Sequence, residues 1–315
     1  MEIEIINIGS ELMLGRVLNT HQPFLCGQLA NLGFVVNRQL AISDEAPAIQ
    51  NAVRESLSRA DLIITTGGLG PTSDDITRDL IAGLLGKKLQ VDAEVLRQIE
   101  IYFAHRKRQM PESTKVQALV PEGAQVLQNV NGTAPGLAME INPNSFRAEG
   151  KPAWLVMLPG PPRELRPMFL DQVIPWLTKQ FPPQAQFICR TLKTTGLGES
   201  FVEEKIAGRL KHLAPGKIEL GYCARVGEVD VRIVARGTEA ENHATEAEKI
   251  IRDCLEQFIY GTDDDQLEEV VVRQLIERKQ TLALAESCTG GFIANRITNV
   301  PGASKIFVNG LVTYS

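Results

Sequence analysis

Short apolar runs of strand length alternate with segments of helical periodicity over residues 1–180. Strands are predicted at Glu2–Ile8, Leu62–Thr66 and Ala153–Leu158, where Ile, Leu and Val dominate. Between the first two runs, apolar residues three or four apart predict a helix that is capped by Asn19–Thr20 and stopped by Gly33. The alternation predicts an α/β domain.

Two further elements complete this pattern. Phe34–Val36 predicts the start of the second strand, and Asp44 is placed to cap a helix with Ile49, Val53 and Leu57 four residues apart. The β-α-β-α-β order predicts a parallel sheet covered by helices on both faces. Ligands of such sheets bind at the carboxyl ends of the strands.

Residues 185–260 have a different pattern, a β-α-β-β-α order typical of a small α+β domain. Its elements are predicted as strands near 187–194, 218–222 and 229–235 and helices near 199–213 and 240–257. Phe181–Pro183 is predicted to be the linker before it. Gly261–Asp265 marks the boundary to a third region, residues 264–315.

The turn Thr65–Asp75 carries the strongest chemical signal, because it is rich in glycine and joins a strand to a helix. Its backbone N–H groups and the helix dipole favour phosphate. Asp74 and Asp75 would repel a phosphate unless a cation lay between them, so the combination indicates a metal-bridged phosphate. The alternative is an ordinary strand–helix turn with an Asp N-cap.

Other residues are expected at the same edge of the sheet. Glu11 follows the first strand and is either a further metal ligand or a solvated side chain in the first turn of a helix. Gly160 and Arg163 follow the strand Ala153–Leu158 in a proline-rich turn, and we expect both to face this edge.

Ser287 lies at another predicted strand-to-helix turn, after the helix Leu267–Arg278 and the strand Thr281–Ala285. Backbone N–H groups there could form an oxyanion hole. Composition alone favours Ser as a helix N-cap over Ser as a nucleophile. Cys288 is an alternative nucleophile, but no His lies near it in sequence to act as a base.

Composition narrows the class of protein. The 315 residues are 43% hydrophobic and carry a net charge of −5, which argues against general nucleic-acid binding. No apolar run reaches the roughly 18 residues that span a bilayer, and the N-terminus has no signal-peptide pattern. The five Cys are scattered without a C-x-x-C motif, which predicts reduced thiols in the cytoplasm. The four His are also scattered, so a His-based metal site is not expected.

Six motifs, in one order along the whole chain, resemble those of the competence/damage-inducible protein A (CinA) family. The motif segments are Gly9–Leu12, Asn19–Thr20, Thr66–Thr72 with Asp74–Asp75, Asn131–Gly136, Leu158–Glu164 and Ala285–Gly291.

The resemblance implies a molybdopterin-binding (MogA/MoeA-like) fold and a metal-dependent ADP-ribose pyrophosphatase for residues 1–180. The implied cofactor is a divalent ion (Mg, Mn or Co), with K⁺ as a further candidate. It also implies a KH-type domain for residues 185–260. Residues 264–315 resemble the start of a nicotinamide-nucleotide amidase, which converts nicotinamide mononucleotide to the nicotinate form and ammonia.

The expected site residues fall into two sets. For the pyrophosphatase they are Thr66, Gly67, Gly68, Gly70, Thr72, Gly160 and Arg163 for phosphate, and Asp74, Asp75 and Glu11 for metal, with Asp75 also catalytic. For the amidase they are Ser287 as nucleophile, Tyr314 as its catalytic partner, and Thr289, Gly290 and Gly291 for the oxyanion or substrate.

Two departures from the family pattern matter. The amidase pattern continues past the tyrosine to a lysine base, whereas this sequence stops at Ser315, so we expect no amidase activity from these 315 residues. Ser10 stands where relatives of the MoeA type often carry Asp, and Ser is a poorer metal ligand.

The expected partners are a small-molecule nucleotide substrate and a second copy of the chain, because a domain as small as residues 185–260 is marginally stable alone. Membrane association is not expected. Nucleic acid is not expected as a partner, because Gly196-Leu197-Gly198 is one residue short of the GXXG loop of KH modules. Two alternative functions stay open: binding or adenylation of molybdopterin, and a non-catalytic role in competence.

Overall fold

The computed structural model describes residues 1–182, 186–213 and 215–314. They form two compact units, Met1–Gln184 and Ala185–Ser315, which are described separately. The last residue of the predicted linker, Pro183, and the chain end, Ser315, lie outside the described residues.

Unit 1 contains eight strands and seven α-helices in its described residues. The strands are β1 (Ile3–Ile8), β2 (Arg38–Ile42), β3 (Leu62–Thr66), β4 (Leu89–Val91), β5 (Leu119–Pro121), β6 (Gln125–Leu127), β7 (Gly136–Ile141) and β8 (Ala153–Leu158). The helices are α1 (Ser10–Met13), α2 (His21–Asn31), α3 (Ala46–Leu57), α4 (Thr77–Leu84), α5 (Ala93–His105), α6 (Pro162–Met168) and α7 (Ile174–Gln180).

Six of these strands form one sheet in the order β2-β1-β3-β8-β7-β6. The first four are parallel, as the alternation of strands and helices predicts. β7 and β6 are antiparallel to their neighbours, so the sheet is mixed at this side and not parallel throughout. The α/β fold class is therefore confirmed. The antiparallel strands β7 and β6 were not predicted from the sequence.

Helices cover both faces of this sheet. Successive residues of a strand point to opposite faces, so Ile5 packs in the cluster that contains Leu25 of α2, and Ile6 packs in the cluster that contains Ile49 of α3. Ile5 and Ile6 are both fully buried. This burial on both faces explains why the central strands are almost wholly apolar.

Two predictions for unit 1 were wrong. Phe34–Val36 is not a strand: the Phe34 N–H donates to the Leu29 carbonyl at 2.9 Å and closes α2, and the strand begins at Arg38. Asp44 does not cap α3, which begins after Glu45 without a side-chain cap. The Asp44 carboxylate instead accepts a hydrogen bond from the Ser10 hydroxyl.

Unit 2 contains six strands and four α-helices in its described residues. The strands are β9 (Phe187–Thr195), β10 (Ile218–Arg225), β11 (Glu228–Arg236), β12 (Ile259–Thr262), β13 (Leu282–Glu286) and β14 (Phe307–Val312). The helices are α8 (Glu199–Leu210), α9 (Ala240–Leu255), α10 (Leu267–Glu277) and α11 (Phe292–Thr298).

The β-α-β-β-α order of the small α+β region is confirmed, with one strand that the sequence analysis missed. β12 joins the antiparallel sheet in the order β10-β11-β9-β12. It runs into the segment Gly261–Asp265 that was predicted as a boundary. The strands β13 and β14 form a separate parallel pair.

Candidate functional site

Three turns meet at the carboxyl edge of the large sheet, because β1, β3 and β8 are adjacent and parallel. They are Gly9–Leu12, Gly67–Ile76 and Pro159–Pro161. The second and third turns touch through their backbones, since a Cβ placed on Gly160 would lie 3.6 Å from the Gly67 Cα.

The glycine turn depends on residues without a side chain. Gly67 and Gly68 have φ angles of 95° and 69°, a region that favours glycine. A Cβ on Gly67 would collide with the Ile8 carbonyl oxygen, and one on Gly68 would collide with the Thr77 hydroxyl. The turn is therefore pressed against the end of β1 on one side and the start of α4 on the other.

Three successive amides of this turn have no hydrogen-bond partner in the described residues. The Gly67 N–H donates to the Leu158 carbonyl at 2.9 Å, so it is not free to bind phosphate as expected. Within the described ranges, the amides of Gly68, Leu69 and Gly70 donate to no protein acceptor. Phosphate binding by the turn would therefore fall to these three groups.

The carboxylates of Asp74 and Asp75 follow these amides. Asp75 Oδ2 accepts from the Thr72 N–H at 3.0 Å and from the Thr72 hydroxyl, so Thr72 orients a carboxylate. A hydrogen bond from Thr72 also holds the pKa of the exposed Asp74 below its usual range. Because a hydroxyl carries one proton, Thr72 donates to one carboxylate at a time, so Asp74 and Asp75 compete for it.

Two buried side chains, Gln117 and Arg78, form hydrogen bonds near the glycine turn. Gln117 Nε2 donates to the Leu69 carbonyl at 3.4 Å, and Arg78 Nη1 donates to the Val116 carbonyl at 2.6 Å. Arg78 is only 4% exposed. These contacts hold the Leu69 carbonyl and join the first turn of α4 to Val116.

A cavity of about 370 Å³ opens between the first and third turns. Its polar wall includes Glu11, Asn19 and Thr66, and its apolar wall includes Val17 and Leu18. Gly160 also lines it, so the structure brings three of the predicted site residues, Glu11, Thr66 and Gly160, to one cavity.

His21 lines the same cavity and was not predicted to have a role. Its Nε2 lies 2.6 Å from the Gly160 carbonyl oxygen, which can only accept, so Nε2 carries a proton. Burial lowers the pKa of His21, despite the hydrogen bond to Gly160, and the nearby Arg166 lowers it further. The ring is therefore neutral at neutral pH, and its buried Nδ1 is an acceptor with no partner in the described residues.

Two motifs of the sequence meet at Glu164. Asn129 Nδ2 donates to Glu164 Oε2 and to the Ala134 carbonyl, both at 2.8 Å. Burial raises the pKa of Glu164, against the opposing effects of Asn129 and Arg163. The Arg163 side chain is 77% exposed and lies 3.8 Å from Glu164, so it is free to swing toward a ligand.

A divalent ion fits this edge only in part. Within the described residues, no three side chains of His, Cys, Asp or Glu lie close enough together to hold an ion, so Glu11 does not join the two aspartates as placed. Mg²⁺ is commonly held by one or two carboxylates with substrate phosphates and water. Asp74 and Asp75 fit that mode, because they lie beside amides suited to phosphate. The three-ligand site stays a prediction.

In unit 2, Ser287 follows β13 at the predicted turn and is exposed. The groups expected to hold an oxyanion are already engaged. The Gly290 N–H donates to the Ser287 carbonyl at 3.0 Å, and Thr289 and the Gly291 amide bond to Glu286.

Glu286 is the residue that shapes this turn. Its carboxylate accepts from the amides of Ile293 at 3.0 Å and Ala294 at 2.8 Å, and it is only 5% exposed. Burial alone would raise the pKa of Glu286, but the amides outweigh burial and hold the pKa below its usual range. An internal carboxylate thus occupies the start of α11.

Tyr314 lies close to this turn because β13 and β14 are parallel neighbours. Glu286 pairs with Val312, and the Thr313 N–H donates to the Glu286 carbonyl at 2.8 Å. Ser287 and Tyr314 therefore follow the carboxyl ends of two neighbouring parallel strands. Tyr314 is 76% exposed.

Family models match the chain in three consecutive parts. They are a probable molybdopterin binding domain over residues 4–179, the KH domain of damage-inducible protein CinA over 189–261, and the CinA C-terminal domain over 264–315. A competence-damage inducible protein of Caldicellulosiruptor saccharolyticus is 42% identical over 100% of this chain and 74% of its own length. The chain belongs to the CinA family.

A second relative gives the same result. A competence-damage inducible protein of Caldicellulosiruptor bescii is 43% identical over 100% of this chain and 74% of its own length. The solved structure of CinA from Thermoplasma acidophilum is 28% identical, covers 55% of this chain and 96% of its own, and has a TM-score of 0.47. Among the residues described for this CinA chain, no helix combines the length and apolarity of a membrane span.

Proposed function

We propose that unit 1 hydrolyses the phosphoanhydride of ADP-ribose with the help of a divalent ion. One observation carries the proposal: three available amides (Gly68, Leu69 and Gly70) and two carboxylates (Asp74 and Asp75) share a single turn. An anion site beside a cation site is what a metal-bridged diphosphate requires.

A cavity lined by Thr66, the residue before this turn, supports a nucleotide-sized substrate. Its volume of about 370 Å³ falls in the range of small-molecule sites. Leu12, Val17 and Leu18 give it an apolar wall suited to a base or sugar, while Glu11 and Thr66 give it polar groups. The apolar ring of a nucleotide would fit the apolar wall, and its phosphates would extend past Thr66 to the amides of Gly68 to Gly70, because the carboxylate of Glu11 repels phosphate.

The chain's own residues would divide the work as follows. The amides of Gly68 to Gly70 bind phosphate oxygens and orient the diphosphate. The Thr72 N–H holds Asp75 Oδ2, which leaves the other oxygen of Asp75 to orient the attacking water. A divalent ion, when bound, neutralises phosphate charge and lowers the pKa of that water. Attack breaks one P–O bond of the anhydride and yields two monophosphates.

The test is the release of AMP and ribose 5-phosphate from ADP-ribose by Asp75→Asn. Asn keeps an oxygen for the Thr72 N–H but loses the charge, so we expect the fold to survive and turnover to fall about 100-fold or more. The matched control is Asp171→Asn, the same change on an exposed residue outside the site. Wild-type turnover in Asp75→Asn would refute the role of this carboxylate.

Molybdopterin is the second candidate ligand, favoured by the family description of residues 4–179. Binding and adenylation of molybdopterin are assayed beside ADP-ribose hydrolysis on the same preparation. Saturable molybdopterin binding without loss of ADP-ribose would favour this candidate and overturn the pyrophosphatase proposal.

For residues 264–315 we infer a role in deamidation of nicotinamide mononucleotide. It is supported by the match to the CinA C-terminal domain and by Ser287 and Tyr314 leaving parallel strands at one edge. The assay is ammonia release by a longer relative, with Ser287→Ala and Cys288→Ala introduced at the matching positions. Loss of activity in the Cys variant alone would identify the thiol as nucleophile.

A further inference from the structure

The four-stranded sheet of unit 2 has two edge strands, β12 and β10, which differ in how readily they could pair with a strand of another chain. β12 at one edge has four residues, and its register with β9 shifts between Ile259 and Gly261. Asp263 then closes this edge, because its carboxylate accepts from the Thr191 N–H at 2.9 Å. A short, bulged and capped strand is protected against pairing with another chain.

β10 at the other edge has none of these protections. It has eight residues, a continuous register with β11, and no proline or lysine. Four of its residues, including Glu219, Cys223 and Arg225, are exposed. A long regular edge strand of this kind is a template for a further strand.

The backbone of β10 presents a defined row of groups. The Ile218 N–H donates away from β11, to the Leu213 carbonyl at 3.2 Å. Since every second residue of an antiparallel strand faces the same side, Leu220, Tyr222 and Ala224 also direct their N–H and C=O groups away from β11. Within residues 186–213 and 215–314, no backbone group pairs with the outward groups of Leu220, Tyr222 and Ala224.

The sequence of β10 is complementary to itself about Tyr222. In an antiparallel pair of two copies centred there, Leu220 would oppose Ala224 and Glu219 would oppose Arg225 of the second copy. Both opposite-charge pairs form at once, because the arrangement has two-fold symmetry. A two-fold axis at Gly221 would instead oppose Arg225 with Lys217 of the second copy, which repels.

We propose that β10 pairs with β10 of a second copy of this chain about a two-fold axis at Tyr222, which joins two four-stranded sheets into one of eight strands. Backbone hydrogen bonds supply affinity, and the Glu219–Arg225 pairs set the register. Within one chain these side chains already have partners, since Arg225 binds Asp230 and Glu219 lies 3.4 Å from Arg236. The proposal does not rest on the pyrophosphatase activity.

The charge pairs give the first test, with sedimentation or light scattering of the full chain as the readout. Glu219→Arg and Arg225→Glu should each weaken dimerisation about tenfold, equivalent to about 1.4 kcal/mol. The double variant should restore the wild-type dissociation constant, because the opposite charges again face each other between copies. Within one chain the double variant loses both contacts, to Asp230 and Arg236, so no restoration is expected if the charges act only there.

Disulfide trapping gives the second test. In a Cys223→Ser background, Tyr222→Cys places two thiols across the axis with Cα atoms about 5.5 Å apart, which a disulfide can bridge. The control Ala224→Cys places its two copies four residues apart along the strand, about 14 Å. We expect a cross-linked dimer for position 222 only. A wild-type monomer at micromolar concentration, equal cross-linking at both positions, or a double charge variant no better than the singles would overturn the proposal.

Discussion

The Gly68→Ala variant tests whether the glycine turn is held as tightly as its geometry indicates. The φ of Gly68 is +69°, and its Cβ would lie 2.8 Å from the Thr77 Cβ and still closer to the Thr77 hydroxyl. Thr77 is fully buried in the first turn of α4, so it has little room to move. The added methyl group therefore meets both backbone strain and a steric clash.

The two costs can be separated with Gly86→Ala. Gly86 has nearly the same φ, +65°, but no atom lies within 4 Å of its Cβ position. Strain alone costs about 1–2 kcal/mol for an L-residue in the left-handed region. Overpacking a buried site adds about 1–3 kcal/mol. We expect losses of unfolding free energy of about 1–2 kcal/mol for Gly86→Ala and about 2–5 kcal/mol for Gly68→Ala.

Tryptophan fluorescence during urea unfolding measures these losses in unit 1 alone. The chain has two Trp residues, Trp154 and Trp176, and their rings pack edge to face with centroids 5.0 Å apart in unit 1. Adding Thr77→Ala to Gly68→Ala should recover part of the loss, because the hydroxyl leaves while the Cβ stays. Equal losses in the two glycine variants, or no recovery in the double variant, would refute the packing argument.

The remaining predictions concern two residues outside the predicted set. Because the pKa of folded His21 is below its ordinary value of 6.5, its contribution to stability is present above pH 6.5 and is lost as pH falls. In His21→Gln, the free energy of unfolding of unit 1, measured by tryptophan fluorescence, should fall less steeply as pH is lowered below 6.5. The same pH dependence in the variant and the wild type would contradict this prediction. Glu286→Ala should speed hydrogen exchange at the Ile293 and Ala294 amides about tenfold or more, with the exposed Glu277→Ala as control. Unchanged exchange would exclude Glu286 as their partner.

The first and last residues of two central strands, β3 and β8, were predicted correctly, because the apolar runs that form them end abruptly. Leu62–Thr66 is followed by glycine, and Ala153–Leu158 lies between two prolines. The neighbouring residues in the sequence therefore determine where both strands begin and end. β2 was misplaced because Arg38–Ile42 begins with two polar residues and is at most half-buried, as suits the edge of a sheet. The more apolar Phe34 and Val36 just before it cover a core cluster without pairing.

Local signals also explain which site residues could be foreseen. The glycine turn was predictable because strand, glycines and helix follow one another within the sequence. His21 and Glu164 were not, since their partners Gly160 and Asn129 lie 139 and 35 residues away along the chain. For Glu286, a usable signal was present: a Glu placed just before a glycine-rich helix start can accept from the first helical amides.

His21, the turn Pro159–Pro161 and the glycine turn are linked by direct contacts, and these contacts bear on any phosphate bound there. His21 holds the Gly160 carbonyl, the Gly160 backbone touches Gly67, and the Gly67 N–H is held by the end of β8. The amides of Gly68 to Gly70, which have no partner in the described residues, follow directly after Gly67. A change at His21 would therefore reach the phosphate position through three contacts in turn: the hydrogen bond from its ring to Gly160, the contact between Gly160 and Gly67, and the hydrogen bond from Gly67 to the end of β8.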